Sequence, residues 1–142
     1  MKVVTFSWPG TGIFPLLPLL VFILSIPGTG AAADQVTGRY LAGAGRTISV
    51  ELDVPETPPT TIIVSQTIPA GVTVQRTSPA AKKIATRDGT IKWLLDSISP
   101  GRSIVTMELD RPVNPGEVRG EIHYRDPVTS KPVTVPISPP SP

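Results

Sequence analysis

The stretch "RTISVELDV", residues 46–54, alternates without a break: Ile48, Val50, Leu52 and Val54 fall on one side of an extended chain, Thr47, Ser49, Glu51 and Asp53 on the other. Successive side chains of a strand point to opposite faces, so this period of two predicts a half-buried β-strand. The reading extends downstream. "VPETPP" holds three prolines within residues 55–59, which no ladder tolerates, and "TTIIVSQTI" then resumes, β-branched nearly throughout. "PAG" at 69–71 predicts a type II turn, with Pro69 fixing φ at the first corner and Gly71 taking the positive φ. "VTVQR" follows as a strand.

The segment "TSPAAKKIATRDG", residues 77–89, reads as a loop with at most a short strand inside it, closed by the turn signal Asp88-Gly89. "TIKWLLD", "RSIVTMELD" and "VRGEIHYRD" are further strands, separated by "SISPG" and "RPVNPGE". In the last of them Val118, Gly120, Ile122 and Tyr124 face one way, Arg119, Glu121, His123 and Arg125 the other. "KPVTVPI" is bounded by prolines, which predicts a sheet edge. "GRYLAGAGR", residues 38–46, is too rich in glycine to assign beyond a first edge strand. Seven or eight short strands, no helix and no internal repeat define the expected class. It is all-β: a single immunoglobulin-like antiparallel sandwich over residues 34–137, with "SPPSP" at 138–142 as an extended, disordered tail.

Ahead of the domain, Lys2, the apolar run "GIFPLLPLLVFILSIPG" and the small residues Ala31 and Ala33 form the pattern of a secretory signal, residues 1–33. Pro15, Pro18 and Pro27 weaken it as a spanning helix. The expected protein is therefore secreted or periplasmic, at the cell envelope. Lys2 is the only charged residue of that segment, so 13 basic residues become 12 against 11 acidic ones, a net charge of +1. Basic residues are interspersed with acidic ones, and nucleic-acid binding has no footprint. There is no cysteine, which excludes disulfides, thiolate metal sites and a cysteine nucleophile.

At residues 46–125 the chain resembles a known group. "VELDVPETPPTTIIVSQTIPAGVTV" is followed by "SP", "DGTIKWLLDSISPG" and "GEIHY". This resembles the immunoglobulin-like conserved-repeat domains of unknown function in secreted and cell-surface bacterial proteins. Those domains carry a Pro-x-Gly strand entry and a Gly-x-(Ile/Leu)-x-Trp strand. The resemblance implies an Ig-like fold and a role in contact or spacing beside other modules. It supplies no catalytic residues.

Trp93 lies between Ile91 and Leu95 on one strand face, the pattern of a core anchor whose indole N–H needs an acceptor. Tyr124, on the face of Ile122, is a second anchor with its hydroxyl at the rim. Arg76, Lys82, Lys83 and Arg87 are the densest basic cluster and mark a candidate binding loop. His123 shares a solvated face with Glu121 and lacks the partnered nucleophile that general-base catalysis needs. Asp88, Asp96 and Glu56 sit in loops or at strand ends without a calcium-loop pattern. No catalytic motif is present. The expectation is a non-catalytic protein without metal or cofactor, with a protein partner at the envelope or outside the cell. The alternative is a carbohydrate-binding module stacking sugar on Trp93 or Tyr40.

Overall fold

The computed structural model describes Gly10, residues 35–85 and residues 87–141. The signal segment expected at 1–33 lies outside the described residues apart from Gly10. Nine strands and no helix make up the described chain. They are β1 (Thr37–Ala42), β2 (Gly45–Val54), β3 (Thr61–Thr67), β4 (Val74–Ser78), β5 (Lys83–Ala85), β6 (Thr90–Asp96), β7 (Gly101–Val113), β8 (Arg119–Arg125) and β9 (Pro132–Pro136). This exceeds the seven or eight strands expected, because glycine does not prevent β1 from pairing with β2 and a short strand, β5, does form inside 77–89.

Two antiparallel sheets result, in the orders β1-β2-β7-β4 and β5-β6-β3-β8-β9. They enclose one core, drawn from the apolar faces of both. Ile48, Val50, Leu52 and Val54 of β2 supply one side, with Val105, Met107 and Leu109 of its neighbour β7. Ile62 and Val64 of β3, Ile91 and Trp93 of β6, and Ile122 and Tyr124 of β8 supply the other. The chain is a β-sandwich. No helix among the described residues is long and apolar enough to cross a membrane.

Between Ile68 and Val72 the turn sits one residue later than "PAG" suggests. The N–H of Val72 bonds to the carbonyl of Pro69, so Pro69 opens the turn, while Gly71 takes φ +80° at its second corner.

One polar side chain crosses the core. Gln66 of β3 is buried, and its Oε1 accepts a hydrogen bond from the Tyr40 hydroxyl of β1 at 2.7 Å. The bond links the two sheets. Burial pushes the Tyr40 hydroxyl up to about 12, partly offset by this bond.

The two flanks of the sandwich end differently. On the β1/β9 flank, Ser138 donates its N–H to the carbonyl of Gly38 and accepts from the N–H of Tyr40, both at 2.9 Å. The segment expected to be a loose tail thus begins with a residue that pairs with β1. Next to it, Ile137 N–H bonds to the Gly120 carbonyl and Lys131 C=O accepts from Asp126 N–H. Odd-numbered residues of this strand therefore turn their amide groups towards β8. Pro132, Thr134 and Pro136 turn outward, and of these only Thr134 has an N–H to offer.

Candidate functional site

The opposite flank, where β4 closes one sheet and β5 the other, is the open one. The chain passes between them through residues 79–82, and Trp93 holds that passage in place. Its indole Nε1 donates to the carbonyl of Pro79 at 3.0 Å, and the side chain is 1% exposed. On the other side of the crossover, Ala81 N–H bonds to the Thr77 hydroxyl at 2.9 Å, and Lys82 N–H to the Lys92 carbonyl at 2.9 Å.

The crossover leaves β6 incompletely covered. β5 pairs with it only from Thr90 to Lys92. Lys92 points its carbonyl towards β5, whereas Ser97, five residues on, bonds to Thr60 on the β3 side. Leu94 therefore has the parity of Lys92 and turns its N–H and C=O outward, where no described strand pairs with them. Its side chain is exposed, directly opposite exposed Ile63 of β3. Beside this apolar pair, Lys83 and Lys92 stand directly opposite each other on β5 and β6, both exposed. Neither enters the ion pairs formed among the described residues. Like charges at such a position disfavour pairing unless something acidic is brought to them.

The four basic residues expected on one binding loop do not share a loop. Arg76 is on β4 in one sheet, with its guanidinium 3.9 Å from Glu108 of β7. Lys83 is on β5 in the other sheet, Lys82 precedes it, and Arg87 lies in the turn before β6. Hydrogen bonding across the sheets separates them, which spacing along the chain does not reveal. Lys92 and Leu94 were not singled out by sequence reasoning. Their signal was available: in "TIKWLLD" both fall on the face opposite Trp93.

The three aromatic side chains of the described residues lie inside. Trp93, Tyr40 and Tyr124 are 1%, 6% and 7% exposed, so none offers a ring face to a sugar. Burial also raises the Tyr124 hydroxyl above its ordinary pKa.

On the outer face of the larger sheet, His123 Nδ1 lies 3.0 Å from the Thr134 hydroxyl and Nε2 lies 3.4 Å from Glu121. A hydroxyl, an imidazole and a carboxylate are thus in line. The Glu121 side chain is 59% exposed, however, so water competes for every group. Asp96 is occupied by the Thr61 hydroxyl at 2.8 Å, and no group of three potential ligands for a metal occurs among the described residues.

Fold and flank together define a class, an antiparallel β-sandwich with one open side. Comparison adds no family to it: no family model, no curated protein and no solved structure matches the chain.

Proposed function

We propose that this protein is an exported, non-catalytic module of immunoglobulin-like type that holds a partner protein by strand addition along β5 and β6. The observation that carries the reading is Leu94, whose backbone groups face outward unpaired beside exposed Ile63. An extended partner segment would complete the ladder there, main-chain hydrogen bonds giving affinity and alternate side chains giving specificity. Lys83 and Lys92 select a segment with an acidic residue at the matching position and reject a neutral or basic one. The Ig-like assignment rests on strand order, with β2 and β7 central in one sheet and β3 and β8 adjacent in the other. Export, to the periplasm, envelope or medium, rests on residues 1–33 of the sequence.

The test is site-specific photo-crosslinking in envelope preparations. A crosslinker at Lys83 should give one discrete protein adduct that disappears in Leu94→Pro, a change that removes the outward N–H and the exposed Leu94 side chain and fixes φ there, in a variant first shown by circular dichroism to keep the parent's fold. A crosslinker at Thr134, on the blunted flank, should give none. Equal adducts from both positions, or an adduct indifferent to Leu94→Pro, would overturn the reading.

A further inference from the structure

Lys92, Leu94 and Asp96 follow one another along the outer face of β6, all three exposed. Across the strand edge Lys92 faces Lys83, and Asp96 has one oxygen on the Thr61 hydroxyl at 2.8 Å. None of these three charges enters an ion pair among the described residues. Within one chain Lys92 and Asp96 cannot meet, because four residues of extended strand hold them about 13 Å apart. We propose that the partner completing this edge is a second copy of the chain, with its β6 antiparallel to the first across a two-fold axis. The inference rests on the strand-addition reading and supplies the partner for it.

The register follows from which backbone groups are free. Ser97 N–H bonds to Thr60 on the β3 side, so Asp96, like Leu94, turns its N–H and C=O outward. The Lys92 carbonyl is already held by the N–H of Lys82. Two copies can therefore pair only through residues 94 and 96, and a two-fold axis admits three alignments of them. Leu94 opposite Leu94 would bring the second copy's Asp96 opposite Lys92, where Lys83 already stands. Asp96 opposite Asp96 would set two carboxylates face to face, which opposes pairing. Leu94 opposite Asp96, on both sides of the axis, remains.

In that alignment Leu94 and Asp96 of each copy exchange N–H···O=C bonds with Asp96 and Leu94 of the other. Each Asp96 carboxylate then lies in line with the other copy's β5, about 7 Å along from Lys83, and diagonal to Lys92. Both lysine side chains are long enough to reach it. The two Leu94 side chains become diagonal neighbours, which carries the apolar pair of Leu94 and Ile63 across the axis. The charges left unpaired in one copy are thus answered by the other, and reciprocally.

So short a ladder makes a weak dimer, read by sedimentation equilibrium of the full chain carried to millimolar concentration. A monomer–dimer equilibrium is expected. Asp96→Lys should weaken it about tenfold or more, as should Lys83→Asp combined with Lys92→Asp. An equimolar mixture of these two variants should restore it, since each supplies the charge that the other has lost. The register is read separately. The chain has no cysteine, so a single introduced thiol reports only its own pairing. Leu95→Cys falls on the axis as a non-hydrogen-bonded pair with itself, and with oxidised glutathione it should form disulfide-linked dimer faster than Leu94→Cys or Asp96→Cys. The inference fails if the parent stays monomeric throughout, if the mixture associates no better than either variant alone, or if Leu95→Cys is not the fastest to link. A monomer here, with a different protein still captured through Lys83, refutes the second copy and leaves strand addition standing. Loss of both refutes strand addition as well.

Discussion

The indole of Trp93 on β6 and the carbonyl of Pro79 on the crossover are joined by a 3.0 Å hydrogen bond, so the residue that fills the core also fixes the path by which the chain changes sheets. Packing and topology meet in one side chain. Trp93→Phe keeps an aromatic ring but removes the donor and part of the volume, leaving a carbonyl and a cavity. A loss of about 2–3 kcal/mol in urea unfolding is expected. Hydrogen exchange should quicken first at Ala81 and Lys82. Unchanged exchange there would separate the ring's packing from any hold on the crossover.

The same burial sets an optical signature. With Trp8 replaced by Phe, Trp93 is the remaining tryptophan, and its emission should be blue-shifted and insensitive to iodide. Red, quenchable emission from a folded sample would contradict the burial.

Gly89 tests a different contact. Its φ is +60°, and a Cβ there would stand 2.5 Å from the carbonyl oxygen of Ile68, a backbone atom that cannot step aside. That strand end is already committed, because Ile68 N–H bonds to the Gly89 carbonyl at 2.8 Å. Gly89→Ala should cost about 2–4 kcal/mol. Gly71→Ala, at φ +80° but in open space, should cost only about 1 kcal/mol. Thermal unfolding of the pair gives the comparison.

Tyr40 makes stability fall at high pH. Its hydroxyl has a folded-state pKa of about 12 against an ordinary 10.0, so the folded protein holds a proton that the unfolded chain releases. The stabilisation is complete below pH 10 and is lost as pH rises from there through about 12. Absorbance at 295 nm should show one late-titrating tyrosine fewer in Tyr40→Phe, where Tyr124 alone remains raised, and the alkaline decline in stability should be shallower in that variant.

Asp126 acts at the other end of the scale. Its Oδ1 accepts the N–H groups of Thr129 at 2.7 Å and Val128 at 2.8 Å, which hold the carboxyl below the usual carboxylate range. A lowered folded pKa means a contribution present above the unfolded value and lost as pH falls through the folded one. Asp126→Asn should flatten acid unfolding in that region. An acid limb identical to the parent's would remove Asp126 from the account.

How much of this the sequence discloses depends on the range of the interaction concerned. In β2 the alternation is local, and Ile48, Val50, Leu52 and Val54 are buried as the pattern implies. The two-sheet, helix-free class follows from the same local signals. The division of Arg76 from Lys83 between sheets does not, because it is decided by β4 pairing with β7 and β5 with β6. The open edge at Leu94 is likewise a matter of where β5 stops. Gln66 lies between these cases. It interrupts the apolar face of Ile62 and Val64 visibly, yet only the fold brings Tyr40 to it and leaves Nε2 unanswered.

The unequal flanks have a stoichiometric consequence. With Pro132 and Pro136 facing out on one side and Ser138 occupying β1 beside them, strand addition has a single direction of approach. Fibre growth through sheets requires a free edge at both ends of every unit. The unpaired edges of this molecule, β4 in one sheet and β5–β6 in the other, lie on the same flank, so a second copy docking there turns only its blunted β1/β9 flank outward and closes a pair instead of extending a fibre.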